Sequence, residues 1–226
     1  VSKDTASAAE AFSRHAEEYD QWFDKAEGRM LFALEHAAVL LLTKDLVPPF
    51  LEIGVGSGRF AKALGIRYGV EPSEPLAAMA RGRGINVEQA FGENLPYADS
   101  LFGGVFILFT LCFVNDPQRV ISEAYRVLRR DGGMVIGLIN LESPWGRLYM
   151  KKKDEGHHIY MHARFYDVEE VNEMLNTAGF SVETYSSVLC QPPTDEPAEE
   201  EARTCLIPES GFVGIRAKKS LSGEMP

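Results

Sequence analysis

The run Pro49-Phe50-Leu51-Glu52-Ile53-Gly54-Val55-Gly56-Ser57-Gly58-Arg59-Phe60 constrains the fold most: an apolar strand gives way to three alternating glycines, and the chain then resumes as a helix. Without Cβ atoms the backbone can pass directly beneath a ligand, and free N–H groups at the helix start face the space above. The spacing bears on which ligand. A dinucleotide turn, G-x-G-x-x-G, needs glycine where Arg59 stands, whereas here the glycine comes one residue earlier as Gly58. The run also fails to match G-x-x-x-x-G-K-[ST], so nucleoside triphosphates have no support. The plain alternative is a glycine-rich strand-to-helix turn that holds nothing.

With 226 residues, 45% of them apolar, the chain can build one large domain around a substantial core. A formal net charge of −10 disfavours nucleic acid and anionic lipid, which leaves a small molecule as the expected partner and a monomer or weak homodimer as the expected state. Cys112, Cys190 and Cys205 are odd in number and widely separated. That pattern suits neither a redox pair nor a metal knuckle and points to a reducing, cytoplasmic setting. Residues Val1 to Thr5 lack a signal-peptide stretch, and the apolar-rich run Val105 to Val114 is too short for a membrane span and reads as a buried strand.

Residues 7–24 and 28–42 read as helices, with Phe12, Tyr19, Trp22 and Phe23 available to cover the domain. Pro48-Pro49 stops that pattern, and strands are expected at 50–53, 68–70, 86–88, 103–109 and 134–139. Between them fall a helix over 58–64, one begun by Pro72-Ser73-Glu74, and one patterned by Val120, Ile121, Ala124, Tyr125, Val127 and Leu128 and ended by Asp131-Gly132-Gly133. A helix over 167–177 precedes strands near 180–188 and 211–217. Such alternation, with strands too apolar for one wet face, implies an α/β fold with a mostly parallel sheet covered on both sides. The last two strands, with no helix between them, suit an antiparallel edge.

Two segments break the rhythm. Residues 143–164 carry Trp145, Tyr149, Lys151-Lys152-Lys153, His157-His158 and His162 beyond the carboxyl end of a strand, where open α/β sheets bind ligands, and read as a substrate lid. Residues 192–202, with Asp195, Glu196, Glu199, Glu200 and Glu201, read as a solvated acidic loop.

Four stretches, Leu51 to Gly58, Gly69 to Ser73, Gly92 to Tyr97 and Glu123 to Gly133, resemble in order and spacing the class I S-adenosylmethionine-dependent methyltransferases. The similarity is to the small-molecule branch that includes the ubiquinone and menaquinone biosynthesis C-methyltransferases, and with the final strands it spans most of residues 50–217. It implies a Rossmann-like three-layer sandwich with a mostly parallel seven-stranded sheet and an antiparallel edge strand. The helices of residues 1–45 would form a cap, and the whole chain 1–226 a single methyltransferase domain. The implied cofactor is S-adenosylmethionine, with S-adenosylhomocysteine as product. Gly54, Gly56 and Gly58 then lie beside its methionine moiety. Glu71, followed by Pro72, ends a strand where its carboxylate can accept both ribose hydroxyls, or else it caps the next helix. Glu52 either organises the glycine turn or is a structural strand-end acid. Ala90, Phe91, Gly92 and Glu93 should surround adenine, with Phe91 stacking or merely packing. Thr110 positions groups near the reactive methyl, and Tyr19 and Arg14 on the first helices approach the methionine carboxylate. The chain departs from the pattern at Gly103, where many relatives have Asp, and at Asp131, where many have Pro.

The implied reaction is direct transfer of the sulfonium methyl to a small-molecule acceptor. The protein then chiefly aligns the reactants and excludes water. His157, His158 and His162 are the candidates to take a proton or touch the acceptor. Arg147, Arg164 and Tyr166 are further acceptor contacts. No metal site is expected, since the histidine spacing lacks partner carboxylates or cysteines. Methylation of a protein side chain, or cofactor binding without turnover, are the competing readings.

Overall fold

The computed structural model describes residues 3–193 and 200–220. Its strands are β1 (Phe50–Ile53), β2 (Tyr68–Val70), β3 (Asn86–Glu88), β4 (Phe102–Leu108), β5 (Leu128–Ile139), β6 (Phe180–Val188) and β7 (Phe212–Lys219). They form one seven-stranded sheet in the order β3-β2-β1-β4-β5-β7-β6. The first five strands pair in parallel, and β7 runs antiparallel between β5 and β6. The strand order reverses at β1 and β4, so their carboxyl ends open a crevice at the switch point.

Among the described residues, eight α-helices surround the sheet: α1 (Lys3–Arg14), α2 (Ala16–Trp22), α3 (Ala26–Leu41), α4 (Arg59–Leu64), α5 (Glu74–Gly82), α6 (Pro117–Val127), α7 (Pro144–Asp154) and α8 (Val168–Thr177). Every residue of β4 is buried, and its side chains alternate between two cores. Phe106 and Leu108 join Leu31, Leu42, Ala77 and Phe212 on one face, while Val105 and Ile107 join Ile121, Val127, Val171 and Phe180 on the other. A sheet apolar on both faces is what a three-layer sandwich requires. Among the described residues, no helix is long and apolar enough to cross a membrane.

Two local expectations are corrected. The helix expected over 7–24 starts by Lys3 and breaks at His15, whose backbone (φ −113°, ψ 20°) leaves the helical region. The helix through Val127 is not ended by Asp131-Gly132-Gly133: Leu128 is already extended, and those three residues lie inside β5. The glycines there serve packing, since a Cβ on Gly132 would lie 2.9 Å from Leu128 and one on Gly133 2.6 Å from Leu46. Gly103, the position where relatives carry Asp, faces the Val47 carbonyl so closely that a Cβ would lie 1.8 Å from its oxygen. In the acidic loop, Asp195, Glu196 and Glu199 lie outside the described residues, while Glu200 accepts a hydrogen bond from the Cys190 N–H at 2.8 Å.

Candidate cofactor and acceptor cavity

Each glycine of the β1–α4 turn has a left-handed backbone, with φ of +72° at Gly54, +53° at Gly56 and +84° at Gly58. Their reasons differ. A Cβ on Gly54 would sit 2.3 Å from the Thr110 hydroxyl, and one on Gly58 2.9 Å from Ala80 of α5, so these two let the turn and α4 nest against neighbours. A Cβ on Gly56 would meet nothing closer than the Tyr19 ring at 3.7 Å, because this glycine faces open space. The loop is held from the adjacent strand. Gly54 and Val55 both donate to the Val70 carbonyl, at 2.8 and 3.0 Å.

Glu71, just past β2, is 6% exposed and accepts from the Gly56 N–H and the Ser73 N–H, both at 2.9 Å. It thus joins the glycine turn to the start of α5. Burial pushes its carboxyl up to about 7, against the pull of those two bonds. Two bonds leave roughly half of a carboxylate's accepting capacity unused. Glu52, 2% exposed, lies under the same turn close to the Ala61 N–H, and its Oε2 has no partner. Burial, and then the nearby Glu71 charge, raise its carboxyl well above the usual range.

Above the turn lies a cavity of about 270 Å³. Of the residues expected at a cofactor, Tyr19, Gly54, Gly56, Glu71 and Pro72 line it, as do Phe91, Gly92, Glu93 and Thr110. Glu52 and Gly58 stay beneath the turn and do not reach the wall. Thr110 also braces the floor, donating to the Leu108 carbonyl at 3.0 Å. Glu93 accepts from the Asn115 N–H through Oε1 at 3.1 Å, and its buried Oε2 has no partner. The segment bearing Phe91 to Glu93 is stapled to α6 by Glu123, which accepts from the Leu95 N–H at 2.8 Å and from both Nε and Nη2 of Arg126.

His157 and His158 stand at the rim, whereas His162 ends a 3₁₀ turn (Tyr160–His162) and is not on the wall. The His157 Nδ1 accepts from the Ile159 N–H at 3.3 Å, and burial, then His158 and Lys152, lower its pKa. His158 stacks between His157 (4.5 Å between ring centroids) and His15 (3.8 Å), and its Nε2 lies 3.7 Å from Glu18. Ligand-type atoms of His15, Glu18 and His158 fall within 4.8 Å of one another. The His15 and His158 rings are only 31° from parallel, however, so their in-plane lone pairs do not converge on one ion. Arg164 lies over the Tyr166 ring and pairs with Glu170, Arg147 bonds the Glu142 carbonyl, and Arg14 pairs with Glu10, all away from the cavity wall.

Two features escaped the sequence reading. Asp20 of α2 takes Arg59 Nε at 2.8 Å and Arg83 Nη2 at 2.7 Å, while Arg59 also reaches Asp24 at 2.8 Å. Burial alone would raise the Asp20 carboxyl, yet hydrogen bonds from Arg59, Ser57 and Arg83 hold it well below the usual range. The residue that spoils the dinucleotide spacing is therefore the tether of α2. The second is the far half of the cavity, which Glu35 lines together with Trp22, Phe109, Tyr149, Tyr160 and Phe165. An acid inside the apolar run Leu31 to Leu42 was the available signal.

These residues fit a cationic nucleotide-like cofactor. Gly56 leaves room for it, Glu71 keeps unused accepting capacity and Glu93 a free acceptor atom at the wall, and Arg59 stands where a pyrophosphate turn needs glycine. Comparison with known proteins agrees. A family model described as a methyltransferase domain matches residues 51–136. A solved structure described as an S-adenosylmethionine-dependent methyltransferase, possible histamine N-methyltransferase, from Thermotoga maritima is similar over 94% of this chain and 100% of its own, with 36% identity and a TM-score of 0.82. An uncharacterized protein of Mycobacterium tuberculosis is 41% identical over 211 residues, 93% of this chain and 74% of its own length. A ubiquinone/menaquinone biosynthesis C-methyltransferase of Haemophilus ducreyi is 40% identical over 52 residues only, 23% of this chain and 20% of its own. The chain belongs to the class I S-adenosylmethionine-dependent methyltransferases and uses S-adenosylmethionine as its methyl donor.

Proposed function

We propose that this methyltransferase acts on a small molecule taken into the far half of the cavity. The observation that carries the reading is the roofing of that half. Trp22 of α2, Phe23 at its end, Tyr149 of α7 and Tyr160 of the turn after it supply walls from the amino-terminal helices and from residues 143–164. The two segments meet at the rim through the His15–His158 stack. An apolar chamber roofed in this way suits a compact acceptor better than a protein surface. The description of the Thermotoga relative, which names a small amine, supports the same class. The match to the C-methyltransferase branch is too short to carry a quinone ring as acceptor. The odd, unpaired cysteines support a reducing intracellular setting.

In this reading residues 143–164 and the helices of 1–45 act as a lid and a cap. Glu71 accepts the ribose hydroxyls, Glu93 Oε2 accepts from the adenine amine, and Phe91 packs on the base. The bound cofactor supplies an already activated methyl. The chain's contribution is alignment and the exclusion of water. His157 and His158, at the rim, meet the acceptor as it enters.

Methyl-labelled S-adenosylmethionine, added with enzyme to an extract split into metabolite and macromolecular fractions, tests the proposal. Label should enter the metabolite fraction. Label confined to macromolecules would replace it with protein or nucleic-acid methylation, and tight cofactor binding without any transfer would favour a regulatory role.

A further inference from the structure

Glu35 lies in the middle of α3, among Leu31, Phe32, Leu34, Ala38 and Val39, next to His36, whose ring stacks on Phe32; the fully buried residues of this helix are apolar. Its carboxyl lines the far half of the cavity. Among the described residues it accepts no hydrogen bond and joins no ion pair. Leaving such an acid unpartnered in apolar surroundings is costly, and burial pushes its carboxyl up to about 8. Nothing in the architecture needs it there: α3 packs through Leu31, Ala38 and Val39, and the acid braces no loop.

The walls around this acid are the faces and edges of aromatic rings. Tyr149 and Tyr160 meet edge to face at 4.8 Å, and both, with Tyr19, lie close enough to Glu35 for its charge to disfavour their ionisation. Those rings already attract a cation. Lys152 at the rim holds its ammonium 4.9 Å from the Tyr149 centroid and 5.9 Å from that of Tyr160. Tyr19 links the two halves, facing Gly56 on one side and Glu35 on the other. A carboxyl without a counter-ion, set among aromatic side chains and coupled to the cofactor turn through one tyrosine, is a receptor for a positively charged nitrogen, whose arrival draws the group into its carboxylate form.

We infer that the acceptor is a compact amine that enters as an ammonium, and that Glu35 is the carboxylate that binds it and takes its proton. This rests on the small-molecule reading given above. The ammonium yields one N–H proton to the Glu35 carboxylate, which frees the nitrogen lone pair. That pair forms the new N–C bond as the S–C bond breaks, and the S–C pair stays on sulfur to give the neutral thioether. The methylated amine leaves as its ammonium, and the proton on Glu35 passes to solvent, so one proton is released per turnover.

Calorimetry on the full-length protein saturated with S-adenosylhomocysteine tests this, with phenethylamine and histamine as probes and 2-phenylethanol as the uncharged counterpart of the first. At least one amine should bind, and phenethylamine at least tenfold more tightly than the alcohol. Glu35→Gln should abolish that preference while changing S-adenosylhomocysteine affinity less than twofold. Glu35→Met guards against misfolding: as neither variant removes a structural bond, both should melt no lower than the parent protein at pH 8. Equal binding of amine and alcohol, no amine binding to a complex that holds S-adenosylhomocysteine, or a preference that survives Glu35→Gln would each overturn the inference. Failure of the parent protein to bind S-adenosylhomocysteine would instead strike at the methyltransferase reading beneath it.

Discussion

Gly54 and Gly56 share a left-handed backbone and both line the cavity, yet only Gly56 has open space where a Cβ would go, and their replacement should separate fold from binding. Gly54→Ala places a Cβ on Thr110 in addition to the backbone strain and should cost about 3 kcal/mol of stability. Gly56→Ala should cost about 1 kcal/mol, the strain alone, but weaken S-adenosylhomocysteine binding about tenfold. Denaturant unfolding and calorimetry on the two variants check the contrast. The acids of the cavity give a second outcome. Glu71 titrates at about 7 and Glu35 at about 8, both raised above the ordinary value of a carboxyl. Between pH 4.5 and 8, roughly, the folded ligand-free protein holds protons that the unfolded chain has lost, so its stability should fall as pH rises. Asp20 and Glu123, held low by arginines, titrate below this window and do not offset it. Glu71→Gln should flatten the lower part of the slope in unfolding curves taken across that range. The glycines and Glu71 were legible because turn geometry demands particular residues at particular spacings. Glu35 was not, because an acid in a helix looks the same in sequence whether it faces water or a cavity.

At the scale of elements, α2 is a short helix whose grip on the domain is largely ionic. Asp20→Asn would leave Arg59 and Arg83 with their shared acceptor weakened and should cost about 2 kcal/mol. Since Tyr19 rides on the same helix, S-adenosylhomocysteine should also dissociate severalfold faster in stopped-flow displacement. Strands were legible from their apolar runs and helices from their periodicity, so β1, β2, β3 and β6 fall where the pattern puts them. Asp131-Gly132-Gly133 misled because two glycines after a helix usually mark a stop. Here they thin the strand so that Leu128 and Leu46 can lie against it. The break at His15 had no composition signal; it bends the chain so that α1 lies on α5 while α2 covers the turn, with Ser13 bonded to Ser73 at 2.9 Å.

For the molecule as a whole, the cavity is built from segments spread from α1 to residue 165, so filling its cofactor half should stabilise everything those segments touch. At a hundredfold excess of S-adenosylhomocysteine over its dissociation constant the gain is about 2.7 kcal/mol. In a chain of this length that amounts to a rise of about 5–10 °C in Tm. NADH at the same concentration should give no shift, because Arg59 stands where a pyrophosphate turn needs glycine; a shift with NADH alone would mean that the spacing does not select the cofactor. The Arg59 tether has one more consequence. Rewriting this turn to the dinucleotide spacing calls for Arg59→Gly, and that same change would strip α2 of its bonds to Arg59 and leave it held through Asp20 by Arg83 alone. Cofactor choice and half of the roof's ionic attachment meet in one side chain, so a descendant of this protein that trades the first loosens the second.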